Sequence, residues 1–299
     1  MDFSSGFLRS FQLSATLSLG GEFISDPSGS DLRTGEVRGY LLVLTATVTP
    51  SAGVQVQRND PVTRREDYKR GFRFWLKNAD PRINRVLFLE NSGEDLTYLR
   101  KIVEEENTFA KAVEFISTPC VAVPAGLHYG WGELKMLDYG LSQSRLVKET
   151  SHLIKATGRF TFPNISKLLD RTPADCDVMV DCRIPASSYR KGLNLIPALL
   201  KRQGAGLTTQ LTIFSHRFYQ THILGLVDTM KPFGYPAMME PLIYDEVTKM
   251  EHSDGVYLRF PVNCDPSGVG ASLGDVYDSK TRRVVRLLRA ASRKTGLWF

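Results

Sequence analysis

Two cations lie close together in the segment Lys155-Ala156-Thr157-Gly158-Arg159. A lysine supplies a point charge and an arginine a planar fork of donors, and the glycine between them lets backbone approach a ligand closely. With the Thr157 hydroxyl, the set suits an anionic leaving group such as a diphosphate. Charge developing on such a group has to be stabilised by a metal or by fixed cations and N–H donors. The alternative for Lys155 and Arg159 is a pair of surface ion pairs at a strand end. Upstream, Gly130-Trp131-Gly132-Glu133 reads as a glycine-gated loop entering a helix, which places Gly132 and Glu133 near the same ligand or else serves only as a connector.

Carboxylates are the second chemical resource. Asp181, in Asp175-Cys176-Asp177-Val178-Met179-Val180-Asp181, and Glu240, in Ala237-Met238-Met239-Glu240, are each able to take a proton from an attacking hydroxyl. Each could equally be a capping or salt-bridging group. Asp177 and Asp181 do not read as a metal pair, because four steps along a strand at about 3.3 Å each separate them by about 13 Å. Five histidines show no ligand spacing and no zinc motif occurs, so no cofactor and no required divalent metal are expected. The small-residue segment Asn263 to Gly274, with Ser267, Gly268 and Ser272, could form a backbone nest or lid over phosphates, or a plain surface loop.

The elements that must hold these groups alternate in type. Residues 39–50 open with a continuous apolar, β-branched run, as in a parallel strand buried on both faces, and end in polar residues that include Thr45 and Thr47. Thr63 to Glu66 has capping-box spacing, and Tyr68, Phe72, Trp75 and Leu76 then make one apolar helix face. Arg85 to Asn91 reads as a second strand, Ser92 to Asp95 as the cap of a second helix, Ala112 to Ser117 as a third strand, and Trp131 to Ser142 as a third helix. Three β/α units in succession predict an α/β, Rossmann-type, mostly parallel sheet with helices on both faces. In such a sheet the strand ends at Thr45, Glu90 and Ser117 should face a common cleft, with Asn91 beside them. No G-x-G-x-x-G follows the first strand and no P-loop occurs, which removes ordinary dinucleotide oxidoreductases and P-loop phosphotransferases.

The chain has 299 residues, 42% hydrophobic and 23% charged, and a formal charge of +6. These values exclude disorder, collagen and coiled coil. No apolar run approaches membrane-spanning length, and the N-terminus, with Asp2 and Arg9, does not read as a secretory signal, so a cytoplasmic location is expected. Four scattered cysteines are expected as free thiols. Residues 1–36 read as an arm, 37–278 as the catalytic domain and 279–299 as a basic tail. Lys280, Arg282, Arg283, Arg286, Arg289, Arg293 and Lys294 occur there with no acid, and Val284, Leu287, Leu288 and Ala291 fall on the opposite helical face. Such a helix suits an anionic membrane surface, each basic residue contributing roughly 1 kcal/mol, or else packs its apolar face on the domain.

Several segments together resemble a family of bacterial surface-polysaccharide-biosynthesis glycosyltransferases with a GT-A-like fold. They are Leu44 to Pro50, Arg58 to Leu76, Phe88 to Ser92, Gly130 to Glu133, Lys155 to Arg159 with Asn164, and Ser267 to Gly274 with Tyr277, spread over residues 39–278. Arg65 stands where the family has leucine, and Gly268-Val269-Gly270-Ala271-Ser272 replaces a serine-glycine pair, which blurs acceptor identity more than reaction class. The resemblance implies sugar transfer from a nucleotide-sugar donor to a glycan or lipid-linked glycan. It also implies that Lys155-x-Thr157-Gly158-Arg159 stands where GT-A enzymes carry a metal-binding Asp-x-Asp, and it favours Glu240 as the base, because the family places a glutamate after an aromatic helix like Phe214 to Asp228. A nucleic-acid-binding protein and a non-catalytic nucleotide-sugar-fold scaffold are the competing expectations. Nucleic acid is disfavoured because the surplus charge collects in the tail.

Overall fold

The computed structural model describes residues 39–51, 56–183, 206–270, 274, 276, 277 and 279–294. All of them belong to one unit, Val37–Phe299. The expected arm over 1–36 lies outside the described residues.

The element order is β1 (Tyr40–Ala46), α1 (Pro61–Leu76), β2 (Arg85–Glu90), α2 (Thr97–Glu106), β3 (Ala112–Ser117), α3 (Gly130–Gln143), β4 (His152–Thr157), α4 (Ile165–Leu169), β5 (Val178–Arg183) and β6 (Gly206–Ser215), followed by α5 (Met239–Thr248), β7 (Val256–Tyr257) and α6 (Lys280–Lys294). Seven strands form one sheet in the order β3-β2-β1-β4-β6-β5-β7. The pairs β1–β2, β2–β3, β1–β4 and β5–β7 are parallel, and β6 runs antiparallel to both β4 and β5. The fold is therefore mixed α/β with a mostly parallel sheet, as the alternation of elements predicts.

β1 is buried along its whole length because it is central, with helices on both faces. Leu42 and Leu44 pack with Tyr68, Phe72 and Trp75 of α1 and with Leu99 and Ile102 of α2. Leu41 and Val43 point the other way, into a second core with Leu134 and Leu137 of α3 and Leu242 and Ile243 of α5. The period of two along β1 thus feeds two separate cores.

Helix starts differ in detail from the sequence expectation. The N-cap of α1 is Asp60, whose carboxylate accepts from the Thr63 N–H at 2.8 Å, with Pro61 in the first turn. Thr63 is thus inside the helix, because Asp60 and Pro61 form a better start than Thr63 and Glu66. α2 begins at Thr97 after Asp95 accepts the Thr97 N–H at 2.9 Å. Phe214 lies in β6, and the expected helix from Phe214 to Asp228 is broken into short helical turns after Ser215.

One contact sets the seat of α1. A β-carbon on Gly71 would overlap the carbonyl oxygen of Gly158, so α1 rests directly on the turn after β4. Gly71→Ala should cost about 2–3 kcal/mol, because backbone cannot give way as a side-chain tip can. Urea unfolding checks this: an unchanged midpoint would mean the two backbones are not in contact.

Candidate functional site

A cleft of about 220 Å³ opens at the C-terminal ends of β1 and β4. Thr45, Thr47, Asn91, Gly132, Glu133, Thr157, Arg159 and Glu240, all expected from the sequence, line it. Arg64, Tyr68, Tyr129, Thr209, Gln210 and Tyr277 line it as well. None of these six was expected as a site residue: Arg64, Tyr68, Thr209 and Gln210 come from elements remote from the expected motifs, while Tyr129 and Tyr277 flank the expected segments Gly130–Glu133 and Ser267–Gly274. Tyr68 offered a local signal in its polar tip, on a residue that otherwise reads as core.

The loops after β1 and β2 form one wall. The Thr47 hydroxyl donates to Asn91 Oδ1 at 2.6 Å, and Arg64 donates to the Thr47 carbonyl at 2.8 Å. Glu90 was expected to face the ligand. Its carboxylate is instead fully buried, accepting from the N–H groups of Val48 at 3.1 Å, Ser92 at 2.9 Å and Glu94 at 3.1 Å. It ties the two loops together and so holds Thr47 and Asn91 in place, because a buried carboxylate requires donors and the loop backbone supplies them. Ser117 ends an edge strand and is exposed, outside the cleft.

The floor is a buried ion pair. Lys155 Nζ lies 2.6 Å from Glu133 Oε1 and donates to the Thr209 carbonyl at 2.6 Å, while the Thr45 hydroxyl donates to the same Glu133 oxygen at 2.7 Å. Lys155 was expected to meet the ligand. It is buried and does not line the cleft, because two residues before the strand end its side chain turns toward α3. Burial pushes the Glu133 carboxyl up, but the Lys155 charge, hydrogen bonds from Lys155 and Thr45, and the Arg159 charge hold it below the usual glutamate range.

Of the two cations in the Lys155–Arg159 segment, Arg159 is the one that lines the cleft. Its guanidinium lies 4.8 Å from the Phe160 ring centroid, and its buried Nε has no hydrogen-bond partner among the described residues. Gly158 was expected to admit a phosphate. Its N–H donates to the Thr45 carbonyl at 2.9 Å and it does not line the cleft, so its small size serves the packing of β4, β1 and α1.

Glu240 enters from the first turn of α5. Its Oε1 accepts from the Thr209 hydroxyl at 3.2 Å, and its Oε2 is buried with no hydrogen-bond partner among the described residues. Gly130 brings α5 close: a β-carbon there would lie 2.7 Å from Cβ of Met239, so the N-termini of α3 and α5 approach only because this position lacks a side chain. Gly132, in contrast, has only ordinary contacts around it and lines the cleft. Beside them the backbone N–H of His128 donates to the Ala237 carbonyl at 2.9 Å. Burial pulls its imidazole below the usual histidine value, opposed by the charges of Glu240 and Glu133.

Asp181 is not in the cleft. Its carboxylate lies 3.4 Å from Arg183, which in turn bonds Asp265 at 2.9 Å. The reason is topological, since β6 inserts between β4 and β5 and carries Asp181 one strand further from the cleft. Ser267 exchanges backbone hydrogen bonds with Thr161 at 2.8 and 3.1 Å, and Gly268 packs against Phe160; neither lines the cleft. Gly270 of the same segment does, and Ser272 lies outside the described residues. Among the described residues no three His, Cys, Asp or Glu side chains cluster as metal ligands.

No protein-family model and no curated protein matches the chain. Among solved structures, it is similar to the mannosyltransferase PcManGT from Pyrobaculum calidifontis in complex with GDP-Man and Mn2+, at 11% identity and a TM-score of 0.46, covering 87% of this chain and 65% of that one. It is also similar to the bifunctional glycosyltransferase WbbM, at 14% identity and a TM-score of 0.44, covering 88% of this chain and 45% of that one. A third is 4-diphosphocytidyl-2C-methyl-D-erythritol synthase from Anaerococcus prevotii, at 7% identity and a TM-score of 0.40, covering 84% and 96%. Identities this low, with every TM-score below 0.5, transfer no chemistry to this chain.

Proposed function

We propose that the protein is a glycosyltransferase that moves a sugar from a nucleotide-sugar donor to a glycan or lipid-linked glycan acceptor in polysaccharide biosynthesis. The observation that carries this reading is the pairing, in one cleft, of a cation and a carboxylate each with a polar atom, Arg159 Nε and Glu240 Oε2, that has no hydrogen-bond partner among the described residues. An inverting displacement at an anomeric carbon uses those two groups. Glu240 takes the proton of the attacking acceptor hydroxyl as its oxygen bonds the anomeric carbon. The bond from that carbon to the diphosphate breaks, the leaving group keeps the electron pair, and Arg159 stabilises its charge. Direct displacement inverts the anomeric configuration.

Thr45, Thr47 and Asn91 form the wall on which the nucleoside sits, and Glu133 is held ionised in the floor by Lys155 rather than titrating with the reaction. Transfer is proposed to need no divalent metal, because β4 carries no carboxylate and the cleft receives Thr157 and Arg159, a hydroxyl and a cation, from its end. On the acceptor side, the loop before α5 carries exposed Phe233 and Tyr235, and Phe233 donates its N–H to the Gly126 carbonyl at 3.0 Å. Neither ring lines the cleft, but exposed rings on the loop that leads into the helix of Glu240 suit the apolar faces of a sugar chain.

Thermal stabilisation by a panel of nucleoside diphosphates and nucleotide sugars, with and without chelator, tests the reading. One nucleotide should shift the midpoint regardless of chelator. Arg159→Ala should weaken that nucleotide about 10- to 100-fold, the equivalent of losing one charge-assisted hydrogen bond of about 1.5–3 kcal/mol. No shift with any nucleotide, alongside binding of nucleic acid, would overturn the proposal.

A further inference from the structure

An amphipathic surface helix normally turns its apolar stripe toward the core and its charges to water. α6 does the reverse. Val284 is 57% exposed, Leu287 72% and Leu288 51%, whereas Arg289 is 8% exposed. Arg289 Nη1 bonds Asp265 Oδ1 at 2.9 Å, on the same carboxylate oxygen that receives Arg183 Nη1 at 2.9 Å. Arg286 Nη2 donates to the carbonyls of Pro266 at 2.9 Å and Tyr277 at 3.0 Å, and the Arg286 carbonyl accepts from Asn263 Nδ2 at 2.7 Å. The arginine side is therefore the docked side, and the three-residue apolar stripe faces outward.

We infer that α6 seats the protein on an anionic membrane surface, with Val284, Leu287 and Leu288 entering the lipid interface while Arg286 and Arg289 lock the helix to the domain. The exposed stripe alone would also fit a second copy of the chain. Charge decides between them: besides the docked Arg286 and Arg289, residues 280–294 contain five basic residues and no acidic one, so two such helices face to face repel, whereas anionic headgroups neutralise them. The docked side also explains why surface binding would matter to the cleft. Arg286 grips the backbone of Tyr277, whose hydroxyl receives Gln210 Nε2 at 2.5 Å, and both Tyr277 and Gln210 line the cleft. The helix that meets the lipid is thus the one that holds a cleft wall, a link whose use for a lipid-linked acceptor rests on the proposed function.

Co-sedimentation of the full chain with vesicles tests this without any donor or acceptor, so its outcome is independent of the transfer reaction. The protein should pellet with phosphatidylcholine vesicles containing about 30% phosphatidylglycerol, less so at high salt, and not with phosphatidylcholine alone. The L287S/L288S variant should lower the bound fraction about 10-fold with an unchanged thermal midpoint, since both side chains are exposed. Equal binding by wild type and variant, or no binding by wild type, overturns the inference. So does a dimer in light scattering that L287S/L288S converts to monomer, which would assign the stripe to a second copy.

Discussion

Glu240→Gln should lower kcat about 10²- to 10⁴-fold while leaving the affinity for the nucleoside diphosphate unchanged. Glutamine keeps the side-chain oxygen that accepts from Thr209 at 3.2 Å, so the first turn of α5 stays in place. What it removes is the basic oxygen, Oε2, which faces no donor among the described residues. The loss therefore falls on proton transfer from the acceptor hydroxyl and not on donor binding. Steady-state kinetics with isothermal titration of the diphosphate separates the two. A variant with wild-type kcat would remove Glu240 as the base; a variant that loses nucleotide binding instead would place Glu240 in the donor site.

Lys155→Met should cost about 3–5 kcal/mol of stability at neutral pH, because it leaves the Glu133 charge buried with its ion-pair partner gone. The double variant Lys155→Met/Glu133→Gln should recover most of that loss. The pH dependence has a definite sign. In the wild type the folded Glu133 carboxyl lies below its unfolded value, so the pair's contribution is fully present above the ordinary glutamate range and is lost as pH falls through the depressed folded value. In Lys155→Met the burial effect is no longer offset by the lysine, the folded value rises, and protonation relieves the buried charge. The stability gap between wild type and variant should thus narrow as the pH is lowered from 7 toward 4. Urea unfolding at both ends of that range measures it, and a constant gap would mean that Glu133 is not held ionised by Lys155.

Much of the architecture was legible in the residues themselves. Strand β1 announces itself through a continuous apolar run that only a strand covered on both faces can bury, and α1 through Tyr68, Phe72, Trp75 and Leu76 at helical spacing. Periodicity is a local property, so it survives without knowledge of partners. Helix starts were less legible, since Asp60 with Pro61 and Thr63 with Glu66 both satisfy capping chemistry and the stronger pair is chosen only in context.

Residue type alone determined that cations, hydroxyls and carboxylates were available near strand ends, and Thr45, Thr47, Asn91, Thr157, Arg159 and Glu240 do meet in one cleft. Only the tertiary structure decided which charged groups face that cleft. Lys155 and Glu90 look like ligand groups in sequence, yet Lys155 is buried against Glu133 and Thr209, 22 or more residues away, and Glu90 against the backbone of two loops, at Val48 and at Ser92 and Glu94. Asp181 and Glu240 were both candidate bases by residue type, with the resemblance favouring Glu240, and the insertion of β6 beside β4 moves Asp181 away from the cleft. The C-terminal helix shows the same division: its amphipathic pattern is written in residues 280–294, but whether the leucines or the arginines face the domain depended on Asp265 and on the carbonyls of Pro266 and Tyr277. A charged side chain is directed by the partners that can satisfy it when buried, and those partners are brought together by chain topology rather than by neighbours in sequence.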